Sequence, residues 1–217
     1  MSAQAAFRTK ILFDTNQLLQ RAKSEEEILS QTASQLMKLL NRSLIVYPEQ
    51  NGDLGSEQVF EIDGEVPCNI FSAPKERDAA NWTFANKKRS GAGTDSYPDA
   101  KGLYLALRTG GGVFGVVGID LSEKPLDAFE NSVLLSILGE GALAIENRRN
   151  ALEKEQATVQ AKNEELRANL LRTISHDLRT PLTSISGNAS NLLSNGETLD
   201  TETRNKICTD IFDDAQC

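Results

Sequence analysis

Apolar residues recur at three- and four-residue steps in the first part of the chain, which predicts two amphipathic helices. The first covers about residues 5–22. Ser24 and Glu27 then form a capping box that opens the second helix. The apolar stripe of the second helix is Leu29, Ala33, Leu36 and Leu40.

The pattern changes to short β-prone runs after the second helix. Strands are predicted at residues 43–47 and 58–62, with turns at 51–52 and 63–64, and Pro74 opens a helix that ends before a glycine-rich loop at 91–102. Residues 102–107 and 113–121 predict a hairpin, in which Leu103, Leu105 and Leu107 alternate as in a half-buried strand. We therefore expect an α+β fold, with helices packed on an antiparallel sheet.

A long helix is predicted from about Leu126 to Ser194. Its seven-residue repeat favours a coiled coil and a parallel homodimer, although a monomeric helix lying on the sheet is the alternative. The repeat is Leu138, Ile145, Leu152, Val159 and Leu166, and the companion positions are Leu135, Ala142, Arg149, Gln156, Asn163 and Leu170. Beyond Leu166 the apolar residues recur every four residues, which breaks the seven-residue repeat. We expect the sensor part to pass a rotation or tilt of the helix to residues 170–185 at this point.

The last part of the chain predicts a helical hairpin. Asn195-Gly196 supplies the turn, and Asp200 is the expected N-cap of a short helix with the stripe Ile207, Ile211 and Phe212. A dimer of such hairpins is a four-helix bundle, here with its second helix cut short.

Charge and composition argue against several classes of function. The net charge of −8 argues against nucleic-acid binding. The three cysteines are far apart and there is one histidine, so we expect free thiols and no metal site. The longest apolar run is too short to span a bilayer and no signal peptide is visible, which predicts a soluble piece.

His176 is the only histidine and lies in the stretch 170–185. As a helix, this stretch has Leu171, Ile174, Leu178, Leu182 and Ile185 on one face and Arg172, Thr173, His176, Arg179, Thr180 and Thr183 on the other. The imidazole is therefore expected in water. A neutral imidazole is a nucleophile toward phosphoryl groups, and Asp177 can fix its tautomer. A Ser175-His176-Asp177 relay is excluded because consecutive helical residues point in different directions.

This stretch resembles the H-box of dimeric sensor histidine kinases. Residues 81–82, 84, 91–95, 98 and 103–105, together with 182–190, resemble the KdpD-type members, whose sheet domain is of the GAF class. The resemblance covers nearly the whole chain. It implies a GAF-like sensor at 1–125, a coiled-coil signalling helix at 126–169 and an incomplete phosphotransfer hairpin at 170–217.

The resemblance also implies roles for residues. His176 accepts the γ-phosphoryl group of ATP on its ε nitrogen and passes it to an aspartate of a KdpE-type response regulator, while Thr180 assists dephosphorylation of that regulator. Arg179 either offsets phosphate charge or is an ordinary surface residue, and Pro181 is either a hinge or a passive kink. The parent kinase would control a potassium-uptake operon from the bacterial inner membrane, with this part cytoplasmic and transmembrane helices before residue 1.

No nucleotide-binding motif is recognisable, and 110–115 fits a hairpin turn. ATP and magnesium would bind elsewhere in the full-length kinase, and this chain alone would hold no cofactor and be inactive. The alternative function is a GAF module that binds a small molecule and dimerises without kinase activity. Its ligand residues would be Trp82, Thr94, Asp95 and Tyr97, although Trp82 is equally expected in the core, and Thr94 and Asp95 in a turn.

Overall fold

The computed structural model describes residues 3–62 and 69–216. They form two compact units, Met1–Leu152 and Glu153–Cys217, which we call the sheet domain and the hairpin domain. The helices are α1 (Ala3–Arg21), α2 (Glu25–Leu40), α3 (Pro74–Asn86), α4 (Ala128–Asn195) and α5 (Thr201–Asp214), with a 3-10 turn at Asn69–Ser72. The strands are β1 (Leu44–Gln50), β2 (Asp53–Leu54), β3 (Gln58–Phe60), β4 (Ser90–Gly91), β5 (Gly102–Arg108) and β6 (Val113–Asp120).

The sheet is antiparallel and has the strand order β2, β1, β6, β5, β4, with β3 also paired to β1. Its centre is the β5–β6 hairpin and the pairing of β6 with β1, in which Val46 lies opposite Val117. Asn51 and Gly52 both have positive φ, so they form the predicted turn between β1 and β2. The predicted turn at 63–64 lies outside the described residues.

Both faces of the sheet are covered by helices, which corrects the prediction of a half-buried strand at 102–107. Leu103, Leu105 and Leu107 pack with α1, α2 and α4, whereas Tyr104 is fully buried on the other face beside α3. The alternation of leucines predicts one buried face of β5, but it does not show that a helix also covers the face that carries Tyr104. The Tyr104 hydroxyl donates a hydrogen bond to the buried Glu76.

The first part of α4 belongs to the core of the sheet domain. Leu138 and Ile145 are 4% and 0% exposed there, so these two positions of the seven-residue repeat are not available to a dimer seam, contrary to the prediction. One 18-residue stretch of α4 is long and apolar enough to cross a membrane, and 39% of it is buried. A core helix passes the same test, and the buried residues in the first part of α4 pack in the core of the sheet domain.

The hairpin domain consists of the second part of α4 and of α5. Gly196 donates its amide to the carbonyl of Leu192 at the end of α4. Asp200 caps α5 as predicted, accepting a hydrogen bond of 2.7 Å from the amide of Thr203. Ile207 is buried whereas Phe212 is 62% exposed, so only part of the predicted stripe is covered within one chain. Cys208 is a free, exposed thiol.

Candidate functional site

His176 lies on the exposed surface of α4, with 81% of its side chain accessible. Its Nδ1 is 3.3 Å from Oδ1 of Asp177, whose side chain is 70% exposed. This distance is at the long end of the range for a hydrogen bond. When Nδ1 carries the hydrogen and donates it to Asp177, Nε2 keeps its lone pair and faces solvent.

The helix around His176 is open to solvent on every side within one chain. All residues from 151 to 180 are exposed, including the apolar Leu170, Leu171, Ile174 and Leu178. Apolar residues in a continuous exposed stripe indicate a surface that another chain covers. His176 lies away from this stripe, on the polar face.

The other predicted residues of this site lie within about one and a half helical turns of His176. Arg179 and Thr180 are exposed, and Thr180 is four residues from the imidazole on the same face. Helix α4 continues through Pro181, whose missing amide leaves the Asp177 carbonyl without its helical donor. The Thr183 hydroxyl donates to the Arg179 carbonyl over 2.8 Å.

A second site is a cleft of about 910 Å³ in the sheet domain, at the edge of β5. It contains three of the four residues predicted for a ligand, namely Trp82, Thr94 and Asp95, whereas Tyr97 does not line it. Tyr97 has a φ of 58° and is 38% exposed. The remaining lining residues are Lys87, Lys88, Arg89, Gly93, Ser96, Leu105, Ala106, Arg108, Leu135, Leu138 and Gly139.

The loop beside this cleft is held by its own hydrogen bonds. The Thr94 hydroxyl lies 2.8 Å from the carbonyl oxygens of both Gly91 and Ser96 and can donate to either. Gly91 donates its amide to Ser96 over 2.7 Å. Thr94 therefore has the turn-forming role that was the alternative to ligand binding.

Four cations of this cleft were missed by the sequence interpretation: Lys87, Lys88, Arg89 and Arg108. Three of them are consecutive and follow the end of α3, so a basic run in an acidic chain was the available signal. Arg108 comes from the end of β5, and only the folded sheet brings it to the same cleft.

No group of three or more His, Cys, Asp or Glu side chains within the described residues is placed to hold a metal ion. Cys68 and Cys217, which were predicted to be free thiols, lie outside that part of the chain.

Comparison with known proteins places both units in context. Residues 166–212 match the His Kinase A (phospho-acceptor) domain family. The chain is similar to Sensor protein KdpD of Clostridium acetobutylicum, with 34% identity over 210 residues that make up 96% of this chain and 23% of the relative. It is also similar to Sensor protein KdpD of Escherichia coli, with 30% identity over 186 residues, 84% of this chain and 20% of the relative. The chain thus spans less than a quarter of the length of these relatives.

The sheet domain has the predicted GAF-like fold. It is similar to the crystal structure of the native GAF domain of the potassium sensor histidine kinase KdpD from Escherichia coli, with a TM-score of 0.51 and 20% identity. That match covers 67% of this chain and 98% of the crystallised domain. The α+β architecture, with an antiparallel sheet and a long helix leaving it, is therefore confirmed. The predicted boundaries at residues 125 and 169 stay predictions.

Proposed function

We propose that this chain is part of a KdpD-type sensor histidine kinase and that His176 is its phosphoacceptor. Nε2 of the imidazole attacks the γ-phosphorus of ATP, a phosphorus–nitrogen bond forms and ADP leaves. The phosphoryl group then passes to an aspartate of a response regulator of the KdpE type. The observation that carries this proposal is the solvent-facing position of His176 beside Asp177 within the stretch that matches the phospho-acceptor family.

Asp177 would act as the positioning residue for the imidazole. Its Oδ1 lies where it can accept the hydrogen of Nδ1, which keeps Nε2 free as the nucleophile. As the attack proceeds, positive charge develops on the ring, and the neighbouring carboxylate stabilises it. The same carboxylate would hold the phosphorylated ring in one orientation for transfer to the regulator.

Thr180 and Arg179 would serve the later steps. Thr180 is one turn from His176 and its hydroxyl can orient the water that removes the phosphoryl group from the regulator. The exposed Arg179 can offset phosphate charge. Pro181 would allow α4 to bend next to the acceptor, because the hydrogen bond across that turn is missing.

The assembly in which this would operate is a homodimer formed through α4 and the hairpin. The exposed apolar stripe on both sides of residue 170 supports this arrangement. ATP and magnesium would be bound by another domain of the parent kinase, which would lie in the bacterial inner membrane with the sheet and hairpin domains in the cytoplasm. Control of a potassium-uptake operon is proposed from the potassium sensor among the relatives.

The experiment supplies this chain with ATP and the ATP-binding domain of a KdpD-type kinase in trans and measures acid-labile labelling. We expect labelling of the wild-type chain and none of His176→Gln. Arg172→Gln is the matched control, since Arg172 lies one turn before the histidine and should leave labelling unchanged. Labelling that persists in His176→Gln would show that the phosphoryl group is accepted elsewhere.

The Asp177→Asn variant tests whether Asp177 positions the imidazole, while leaving His176 available to accept the phosphoryl group. We expect slower labelling of this variant and a shift of its pH profile, because the asparagine cannot stabilise the positive imidazole. If neither chain is labelled in trans, the parent kinase with the same substitutions repeats the measurement. Unlabelled wild-type parent kinase would contradict the proposal and leave the ligand-binding GAF module as the function.

A further inference from the structure

We propose that the cleft at the edge of β5 binds a small organic anion, a phosphate ester with an apolar or aromatic group. The cleft lies wholly in the sheet domain, between the end of α3, the loop at 93–96, β5 and α4. Its volume of about 910 Å³ falls in the range of small-molecule sites. The proposal goes beyond the phosphoryl transfer proposed above and is tested without it.

The charge of the cleft is opposite to that of the chain. The chain has 31 acidic and 23 basic residues, yet the cleft is lined by four cations and a single acid, Asp95. Lys87, Lys88, Arg89 and Arg108 form no ion pair with any other residue that the structure describes. Clustered like charges without counterions repel each other, and an anion with two negative charges would reduce that repulsion.

The chemistry of these cations favours a phosphate group. The guanidinium groups of Arg89 and Arg108 can each donate two parallel hydrogen bonds to its oxygens. Lys87 and Lys88 add two point charges at the end of α3. A singly charged ligand would leave most of this charge uncompensated.

The opposite wall of the cleft is apolar, so we expect the ligand to carry an apolar group in addition to its negative charge. Trp82 is half-buried there, and Leu135 and Leu138 of α4 lie beside Gly139. Leu135 is 52% exposed although its neighbours in α4 belong to the core. An aromatic or apolar group would cover this surface and stack on the indole ring, which stabilises binding through burial.

The occupant would therefore touch the helix that leads to the phosphoacceptor. Leu135, Leu138 and Gly139 are residues of α4, the helix that carries His176. A ligand held between the cations of α3 and β5 and this wall would restrain the first part of α4. Binding would thus act on the helix that carries the phosphoacceptor, and it can be measured on the isolated chain.

Trp82 is the only tryptophan in the chain, so its fluorescence reports occupancy of the cleft directly. We use three probes: phenyl phosphate, inorganic phosphate for the charge alone, and benzyl alcohol for the ring alone. We expect saturable binding of phenyl phosphate that is about tenfold tighter than either of the other probes and that weakens as salt is added. Calorimetry checks the same affinities independently of fluorescence.

Arg108→Gln and Arg89→Gln test the cations, and Lys38→Gln, on the exposed face of α2, is the matched control. Each arginine variant should bind phenyl phosphate about tenfold more weakly, while Lys38→Gln should bind as the wild type does. Both arginines are exposed, so circular dichroism should show unchanged folding. The proposal is overturned by an absence of saturation below about 10 mM phenyl phosphate, by equal affinity for inorganic phosphate, or by equal weakening in Lys38→Gln.

Discussion

Arg149 of α4 forms a two-point ion pair with Glu25 at the start of α2, with distances of 2.9 Å from Nε to Oε1 and 2.8 Å from Nη2 to Oε2. Its Nη2 is also 2.9 Å from Oε2 of Glu49 at the end of β1, and its guanidinium lies 5.1 Å from the centre of the Phe114 ring. One side chain therefore ties α4 to α2 and to the sheet just before the helix leaves the sheet domain.

We predict that Arg149→Met lowers the unfolding free energy of the sheet domain by about 1–2 kcal/mol. This estimate reflects the loss of charged hydrogen bonds at a site that is about one third exposed, where solvent screens part of the interaction. Arg148→Met is the control, because Arg148 makes no ion pair in the described structure. Urea unfolding followed by Trp82 fluorescence measures both, and equal destabilisation by the two variants would contradict the prediction.

The ion pairs of Arg149 with Glu25 and Glu49 also predict that the sheet domain is less stable in acid. Burial tends to raise the pKa of Glu49, but the Gly52 amide and Arg149 outweigh it and hold that pKa below its ordinary value of 4.5. A carboxyl group with a lowered pKa stabilises the fold above its unfolded pKa, and that contribution disappears as the pH falls through the folded pKa. The melting temperature should therefore decrease below about pH 4.5.

Glu49→Gln should flatten this acid dependence, because the substituted side chain does not titrate. Arg149→Met should flatten it too, since it removes one cause of the lowered pKa. A melting temperature that falls as steeply with acid in both variants as in the wild type would assign the effect to other carboxyl groups.

The helix caps and the β-hairpin could be predicted from the sequence, because each depends on residues that are close together in the chain. The Ser24 hydroxyl accepts from the Glu27 amide, Asp200 accepts from the Thr203 amide, and residues 102–108 and 113–120 form the hairpin. The exposure of His176 followed from the period of the apolar residues. Glu27 departs slightly from the expected capping box, since its carboxylate accepts from the amide of Lys23.

The long-range relationships could not be predicted in this way. The seven-residue repeat of α4 fits a dimer seam and a buried core face equally, and only the sheet decides that Ile145 faces the core. Arg149 meets partners 124 and 100 residues away, which no periodicity encodes. The cleft joins Arg108 to the basic run at 87–89 for the same reason. In each case tertiary packing determines the role of a residue whose local pattern allows several.

Glu76→Gln should destabilise the sheet domain by roughly 1–3 kcal/mol, the cost of an unsatisfied buried polar group. The Glu76 side chain is fully buried and accepts hydrogen bonds from the amides of Lys101 and Gly102 and from the Tyr104 hydroxyl, at 2.9, 3.1 and 2.9 Å. Glutamine has only one acceptor oxygen, so at least one of these donors loses its partner. Thermal unfolding against the exposed control Glu26→Gln tests this, and equal melting temperatures would contradict it.

Two glycines of the cleft loop should respond differently to alanine. Gly91 has a φ of 93°, and a Cβ atom there would collide with the carbonyl oxygen of Gly102 in the paired strand. Gly93 has a φ of 73°, but a Cβ atom would meet nothing within 4 Å. We expect Gly93→Ala to cost about 1 kcal/mol through backbone strain alone, and Gly91→Ala at least about 2 kcal/mol. Urea unfolding compares them, and a larger effect at Gly93 would be inconsistent with this geometry.

The dimer seam should begin beyond the part of α4 that the core of the sheet domain occupies. Val159 and Leu166 are 55% and 61% exposed in one chain, whereas Ile145, on the same repeat, is fully buried. We therefore expect Val159→Asn or Leu166→Asn to raise the dimer dissociation constant by about tenfold or more, through lost burial of one apolar side chain per subunit. Sedimentation equilibrium measures this constant.

Ala161→Asn is the matched control for the seam, because position 161 lies on the opposite side of the repeat and should leave the dimer unchanged. Ile145→Ala should instead destabilise the sheet domain by about 2–5 kcal/mol, as expected for a cavity in a packed core. Weaker dimerisation in Ala161→Asn equal to that in Val159→Asn, or a stable sheet domain in Ile145→Ala, would contradict this division of α4 into a core segment and a seam segment.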